Sequence, residues 1–262
     1  MLGAIIGDIC GSRFEWQNYK AKDFELFTKD CRPTDDSIMT LAVAQAILDS
    51  RPDGKDLAAH AVCSMQQLGR LYPSAGYGGR FARWLMEKDP QPYHSFGNGA
   101  AMRISAVGDA ARSMVQAKQF AYAVTAVTHD HPEALKAAEA VAGSIYLARH
   151  SASKKDIRDW ITASYYPLNF TLDEIRPSYT FDVSCQGSVP QALEAFFEAK
   201  DFEDTIRNAI SIGGDSDTLA AIAGGLAEAY YGIPSALREQ ATQYLDPRLT
   251  KILKDFESYL AG

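Results

Sequence analysis

The sequence has little cysteine and no excess of positive charge. Its 262 residues include four cysteines with no C-x-x-C pair, so neither a disulfide framework nor a zinc ribbon is indicated. The 33 acidic and 26 basic residues give a net charge of −7. A general nucleic-acid binder is therefore not expected, because displacing counterions from nucleic acid requires positive charge. An anionic small ligand held by backbone N–H groups remains compatible with this composition.

Targeting, linker and repeat signals are also missing. The apolar run that begins MLGAIIGDICG is interrupted by Asp8, is too short to span a membrane and has no positive flank. We therefore expect a cytoplasmic protein that does not act at a membrane. There is no repeat, low-complexity tract or flexible linker, which favours one domain over residues 1–262. No heptad seam is present, and we expect a monomer.

Helical periodicity dominates the chain. The segment from Ser37 to Leu48 places its apolar residues on one side, as an amphipathic helix does. Similar patterns predict helices over Ala58–Leu71, Asn98–Arg112, Phe120–Val127, Glu133–Arg149, Phe202–Ile210 and Thr218–Tyr231. One weak strand signal covers Tyr179–Val183. We predict an all-α, compact orthogonal helical bundle with functional loops at residues 13–33, 73–98 and 165–190.

Two acidic clusters each precede an apolar helix. The first is Pro33-Thr34-Asp35-Asp36-Ser37, and the second is GGDSDT, from Gly213 to Thr218. Helix capping would explain either cluster alone, because Asp and Thr accept N–H bonds at helix N-termini. Together they offer four carboxylates and two hydroxyls, which would repel one another strongly unless a cation lay between them. All-oxygen ligands suit Mg²⁺, Mn²⁺ or Ca²⁺ rather than zinc.

The two clusters resemble conserved motifs of the ADP-ribosylglycohydrolase family. Three further segments agree in family order: GDICGSRFE from Gly7, SFGNGAAMR from Ser95 and VTHDHPEA from Val127. The resemblance covers most of the chain and implies an all-α hydrolase with two Mg²⁺ ions, for which Mn²⁺ can substitute. The metal ligands that it implies are Thr34, Asp35, Asp36, Asp215, Asp217 and Thr218.

A glycine-bearing segment, SFGNG, precedes another predicted helix and is neither a P-loop nor a dinucleotide fingerprint. Such a turn can present N–H groups to an anion, or it can be simply a tight loop. The resemblance implies that it cradles a diphosphate, with Phe96 near an adenine; a core phenylalanine is the alternative. The loop residues implied are Ser95, Phe96, Gly97, Asn98 and Gly99.

Two other segments are expected to contribute to the same cleft. Tyr77 and Gly78 lie in a flexible stretch that could line it. The resemblance places His129 near the ribose-phosphate part of the ligand. The alternative for this segment is structural, with Asp130 capping the following helix and Pro132 in its first turn.

Glu15 and Asp35 are the expected catalytic residues. The resemblance places a glutamate near the metals at Glu15, where it could bind an ion, hold a water or take its proton. A surface ion pair with Arg13 is the alternative for Glu15. We expect Asp8 to support the ligands rather than bind an ion itself.

The function implied by the resemblance is hydrolysis of the glycosidic bond between ADP-ribose and an acceptor. An ADP-ribosylated protein or other acceptor is then the substrate, and ADP-ribose is a product. An ADP-ribosylated base remains open as an acceptor. Two alternatives are a non-catalytic ADP-ribose-binding protein and an HD-type phosphohydrolase, since His129-Asp130 spells the core pair of the latter.

Overall fold

The computed structural model describes residues 1–50, 54 and 56–262, and within them the regular structure is helical. The helices, numbered in chain order, are α1 (Leu2–Gly11), α2 (Asp35–Asp49), α3 (Leu57–Leu71), α4 (Gly79–Met86), α5 (Gly99–Met102), α6 (Ser105–Ala110), α7 (Met114–Thr125), α8 (Pro132–Arg149), α9 (Lys154–Ser164), α10 (Leu172–Ile175), α11 (Cys185–Glu198), α12 (Phe202–Ser211), α13 (Ser216–Tyr231), α14 (Ser235–Thr242) and α15 (Pro247–Ala261). The prediction of an all-α fold is confirmed.

Helices α1 and α13 pack along a line of glycines. A Cβ added at Gly3 would lie 2.3 Å from the Gly224 carbonyl oxygen, and one at Gly7 would lie 2.0 Å from that of Ala220. Any side chain at these positions would push the two backbones apart. Helix α1 is thus a close backbone neighbour of α13. The close approach brings the C-terminal end of α1 to the N-terminal end of α13.

The core is built around two helices that are buried on nearly all sides. In α13 every residue from Ser216 to Ala227 is buried, and in α2 the run from Asp36 to Ala44 is buried. A helix that is apolar around its whole circumference is stabilised by packing against neighbours rather than by one amphipathic face. Other helices surround this pair, including α3 and α15 against α2, and α11 and α12 against α13.

Several predicted boundaries were wrong. The helix predicted over Asn98–Arg112 is broken into α5 and α6, because Arg103 ends α5 and turns its guanidinium inward to Thr128. The helix predicted over Phe120–Val127 begins earlier, at Met114, where Ser113 caps it. The strand predicted over Tyr179–Val183 does not form, and the described residues hold only an isolated bridge between Gly97 and Ser184.

The predicted loops contain helices. Helix α4 lies inside the predicted loop 73–98, and α10 lies inside 165–190. Among the described residues no helix is long and apolar enough to cross a bilayer. All four cysteines are free thiols.

Candidate active site

Carboxylates from three helix ends meet in the interior. Asp8 from α1, Asp36 from α2 and Asp217 from α13 each offer an oxygen, and these oxygens lie within 4.8 Å of one another. In a second group, formed by Glu15, Asp215 and Asp217, the offered oxygens also lie within 4.8 Å of one another. Asp217 belongs to both groups, so the two form one continuous acidic cluster.

The packing of α1 explains why these groups meet. Gly11 lies so close to α13 that an added Cβ would be 2.5 Å from the Asp217 Cα. Asp8, one turn earlier, accepts hydrogen bonds from the backbone N–H groups of Thr34 (2.8 Å) and Ser37 (3.0 Å) at the start of α2. Asp8 therefore ties the end of α1 to the start of α2 beside Asp217, and its supporting role stays a prediction.

Capping accounts for only part of the two acidic motifs. Thr34 is the N-cap of α2, and its hydroxyl accepts from the Asp36 N–H at 3.3 Å. Asp215 occupies the N-cap position of α13 without a side-chain cap bond. Its Oδ2 accepts instead from the side-chain amide of Asn98 at 2.6 Å. Capping thus does not explain why a carboxylate stands at position 215.

Within the acidic cluster, one buried carboxylate oxygen has no hydrogen-bond partner among the described residues. Asp36 Oδ1 makes no hydrogen bond, while Asp36 Oδ2 accepts from the Thr218 hydroxyl at 3.3 Å. A buried acceptor without a donor costs free energy, and a cation would satisfy it. The orphaned oxygen, the two close carboxylate groups and the all-oxygen donor set fit a hard divalent ion such as Mg²⁺.

The pKa values of the cluster reflect the burial of its carboxylates and their mutual repulsion. Burial raises the pKa of Asp36 well above its ordinary value, and the charge of Asp8 adds to the effect. Burial and the charge of Asp36 do the same for the pKa of Asp217. Burial also raises the pKa of Asp8 and of Asp215, although hydrogen bonds from Ser37 and Asn98 oppose it. Without a cation the charged forms of these groups are therefore disfavoured.

Asp35 lies beside the acidic cluster, outside its two close groups. Its N–H donates to the Ala75 carbonyl at 2.9 Å, which ties α2 to the loop before α4. Gly76 has a φ of +115°, and an added Cβ there would lie 3.1 Å from Asp35 Oδ1. Burial, followed by the charge of Asp8, raises the pKa of Asp35 to about 7. The roles of metal ligand and catalytic residue stay predictions for Asp35.

Glu15 is a half-buried member of the cluster rather than a surface partner of Arg13. Burial, followed by the charge of Asp215, raises the pKa of Glu15 to about 7. Arg13 donates instead to the Glu25 carbonyl and stacks over the Phe14 ring. The position of Glu15 within 4.8 Å of two cluster carboxylates suits a group that handles a proton or binds an ion.

A cavity of about 400 Å³ joins the acidic cluster to the glycine loop. Its lining includes the predicted residues Ser95, Gly97, Asn98, Gly99 and His129. Asn98 links the two sides, because its side chain donates to Asp215 while its N–H donates to the Val183 carbonyl at 2.7 Å. The structure therefore brings the predicted loop and the predicted acidic motifs to one cavity.

Other predicted residues lie around this cavity in different ways. Gly78 lines it, whereas Tyr77 packs its ring against Phe81 and does not line it. Phe96 is 49% exposed, so the alternative of a core phenylalanine is wrong. The cap of α8 is His131, whose Nδ1 accepts from the Glu133 N–H, and not Asp130.

Sequence reasoning missed an aromatic pair at the cavity. Trp16 and Phe181 stack with ring centroids 4.8 Å apart, and both line the cavity beside Glu15. Trp16 is 76% exposed, which is unusual for so large an apolar ring. The position of Trp16 directly after Glu15 was the available signal. Phe181 gave none, because its segment was interpreted as a strand.

Basic and aromatic residues on the glycine-loop side were also missed. Arg80, Tyr93 and Arg103 line the cavity, and Arg103 is buried although it carries a full charge. The cavity thus has carboxylates at one side and guanidinium groups elsewhere in its lining. Such a charge distribution suits a ligand that carries both a cation-binding part and an anionic part.

Comparison with known proteins gives a family match over almost the entire chain. The family model described as ADP-ribosylglycohydrolase matches residues 1–260. ADP-ribosylhydrolase ARH3 of Gallus gallus is 23% identical over 88% of this chain and 84% of its own length. ADP-ribosylarginine hydrolase Tri1 of Pseudomonas putida (strain GB-1) is 27% identical over 57% of this chain and 42% of its own length.

A solved structure shares the fold. It is titled ADP-ribosylglycohydrolase-related protein complex and aligns with a TM-score of 0.69 at 26% identity. The alignment covers 99% of this chain and 93% of that one. The family match and the fold match therefore extend over the acidic cluster, the cavity and the glycine loop alike.

Proposed function

The chain belongs to the ADP-ribosylglycohydrolase family and is a hydrolase, and we propose that it cleaves the glycosidic bond between ADP-ribose and an acceptor with two bound Mg²⁺ ions. The observation that carries the proposal is the cavity, which has an acidic cluster with an orphaned carboxylate oxygen on one side and the glycine loop on the other. ADP-ribose combines hydroxyl oxygens that bind cations with an anionic diphosphate, and it matches both sides.

The side chains that would hold the ions in this proposal are Thr34, Asp35, Asp36, Asp215, Asp217 and Thr218. Asp36, Asp215 and Asp217 belong to the two close carboxylate groups, and Asp35 lies next to them. The hydroxyls of Thr34 and Thr218 already lie against cluster carboxylates and would complete the oxygen set. Bound Mg²⁺ would supply Lewis acidity that polarises ribose oxygens and eases loss of a proton from water.

Glu15 would take a proton from the attacking water. Neighbouring cations would lower its pKa from the metal-free value of about 7 and leave it ionised at neutral pH. Its half-buried position at the cavity wall gives it access to a water molecule and restricts its rotamers. The carboxylate would therefore act as base, and the departing acceptor would take up the proton that Glu15 received from the water.

The glycine loop and its neighbours would orient the ligand. Asn98 is held by hydrogen bonds from its side chain to Asp215 and Ser188 and from its N–H to the Val183 carbonyl, which joins the loop to the acidic cluster. Holding the diphosphate at the loop would place the ribose at the cluster, which is the kind of positioning that lowers an activation barrier. Trp16 and Phe181 would face the acceptor, since they lie beside Glu15.

The alternative of an HD-type phosphohydrolase finds no support in the geometry. Such enzymes bind metal through several histidines, whereas both candidate metal groups in the described residues consist of carboxylates. His129 instead bonds to Thr128, and Asp130 accepts from the His94 N–H at 2.7 Å. The remaining alternative, a protein that binds ADP-ribose without cleaving it, differs from our proposal only in turnover.

A product assay on a panel of ADP-ribosylated acceptors tests the proposal. We expect free ADP-ribose to be released from at least one acceptor with Mg²⁺ present and release to stop with EDTA. Asp217→Asn should abolish the release, because it removes a charge shared by both groups. Calorimetry with ADP-ribose that shows tight binding, combined with no release from any acceptor, would favour the binding protein.

A further inference from the structure

His129 lies buried against the glycine loop with one ring nitrogen toward it. A Cβ added at Gly99 would lie 3.3 Å from His129 Nε2, and one added at Gly97 would lie 3.7 Å from it. The same ring lines the cavity. Nε2 is therefore the atom that would meet a ligand at this loop, and its protonation decides whether it donates or accepts a hydrogen bond.

The other ring nitrogen of His129 is engaged by a chain of two residues. Nδ1 lies 2.6 Å from the Thr128 hydroxyl oxygen. The same oxygen accepts a hydrogen bond from a terminal nitrogen of Arg103 at 2.7 Å. Arg103 and Thr128 are both buried, so water does not compete for these bonds.

The Thr128 hydroxyl has one proton to donate and two acceptors within reach. The Thr125 carbonyl lies 3.4 Å away, while His129 Nδ1 lies 2.6 Å away. A bond at 3.4 Å is at the long limit, whereas 2.6 Å is short, so the proton goes to Nδ1. The Arg103 cation on the same oxygen makes the hydroxyl a stronger donor.

We propose that Arg103 and Thr128 are positioning residues that hold His129 as the neutral tautomer protonated at Nε2, so that it donates a hydrogen bond to a phosphate oxygen at the Gly97–Gly99 loop. With Nδ1 accepting, the single ring proton stands on Nε2. In the opposite tautomer the Nε2 lone pair would face the anion and repel it. The assignment of a phosphate as the ligand rests on the proposed function, whereas the assignment of the tautomer rests on the contacts among Arg103, Thr128 and His129.

The positive charge of Arg103 would attract the same phosphate. Its hydrogen bonds go to the Thr128 hydroxyl and, at 3.5 Å, to the Val124 carbonyl, and its buried Nε has no partner. A buried guanidinium whose hydrogen-bond partners among the described residues are neutral oxygens leaves a positive field in the adjoining cavity. A phosphate at the loop would compensate that field, which gives Arg103 a role beyond holding Thr128.

Nuclear magnetic resonance of protein labelled with ¹⁵N-histidine reads the tautomer without a ligand. We expect the Nε2-protonated pattern for His129 in the wild type and in Thr128→Ser, which keeps the hydroxyl. Thr128→Val should lose that pattern and bind ADP-ribose more weakly by on the order of 10- to 100-fold, the effect of losing a well-oriented hydrogen bond to a charged group.

Thr125→Val is the matched control, because Thr125 is equally buried and its hydroxyl has no partner. It should keep both the spectrum and the affinity of the wild type. An Nδ1-protonated His129 in the folded wild type would overturn the proposal, as would a Thr128→Val protein with unchanged ADP-ribose affinity. Absence of any ADP-ribose binding by the wild type would refute the ligand and the proposed function together, while the ligand-free spectrum would still decide the tautomer.

Discussion

Asp36→Asn should stabilise the metal-free protein while it removes the response to Mg²⁺. Asp36 is buried, one of its oxygens has no partner, and it lies in the group with Asp8 and Asp217. Asparagine has nearly the same shape and can donate from its amide nitrogen to either neighbouring carboxylate. The substitution therefore removes repulsion without leaving a cavity.

The structure sets the size of this effect. The offered oxygens of the group lie within 4.8 Å of one another, and two unit charges at that separation repel by about 3.5 kcal/mol at an effective dielectric constant of about 20. Burial and the neighbouring carboxylates raise the pKa values of Asp36 and Asp217, so protonation of these groups would relieve part of the repulsion. We expect a net gain of about 1–3 kcal/mol, which raises the melting temperature by about 2–10 °C for a chain of this size.

Thermal melts with EDTA and with excess Mg²⁺ measure both effects. Mg²⁺ at about 100 times its Kd should stabilise the wild type by about 2.7 kcal/mol, and Asp36→Asn should lose most of that shift. Glu194→Gln is the matched control, because Glu194 is a buried carboxylate that pairs with Arg158 outside the cavity. It should lower the melting temperature and keep the Mg²⁺ shift. A metal-free Asp36→Asn protein that melts below the wild type and keeps the full Mg²⁺ shift would refute the reasoning.

Four further outcomes are expected. Gly99→Val should weaken ADP-ribose binding but not Mg²⁺ binding in calorimetry, because its side chain would crowd His129 Nε2 at 3.3 Å. Glu15→Gln should lower kcat by about 10²–10⁴ with little change in KM, and recovery of the rate at high Mg²⁺ would identify a metal ligand instead of a base. Trp16→Ala should change the ranking of acceptors in the product assay and leave ADP-ribose affinity within about threefold, the scale of a surface substitution. Burial and the charge of Arg103 hold the pKa of His129 well below 6.5, so below that pH the unfolded chain gains a proton that the folded one does not. Glu15 and Asp35, whose pKa values are raised to about 7, favour the folded state as the pH falls through the same range, so the contribution of His129 is measured as a difference between two proteins. In denaturant titrations the stability of the wild type relative to His129→Asn should fall by up to about 1.4 kcal/mol per pH unit below 6.5.

The helices that sequence reasoning predicted well are the ones with long, regular periodicity. The prediction for Ser37–Leu48 lies within α2, and the prediction for Glu133–Arg149 differs from α8 only at its first residue. The segment after Asn98 was harder, because its apolar pattern continues through Arg103 while the side chain of Arg103 bonds to Thr128 far along the chain. Local propensity does not contain that tertiary contact.

The acidic motifs could be located from the sequence because their residue types are chemically unusual before apolar helices. Their geometry could not be predicted from the sequence, because the distance between Asp8 and Asp217 depends on how closely α1 approaches α13 at Gly7. The pairing of Trp16 with Phe181 joins two loops that are distant along the chain. Neither loop has a period or a cap that predicts this contact.

A crystal structure with ADP-ribose and Mn²⁺, in which anomalous scattering locates the ions, tests the central claim most directly. We predict Mn²⁺ peaks among the carboxylates of Asp36, Asp215 and Asp217, with the ribose hydroxyls against them. The diphosphate should lie at the Gly97–Gly99 loop within reach of His129 Nε2. Mn²⁺ absent from the acidic cluster, or ADP-ribose bound outside this cavity, would contradict the account.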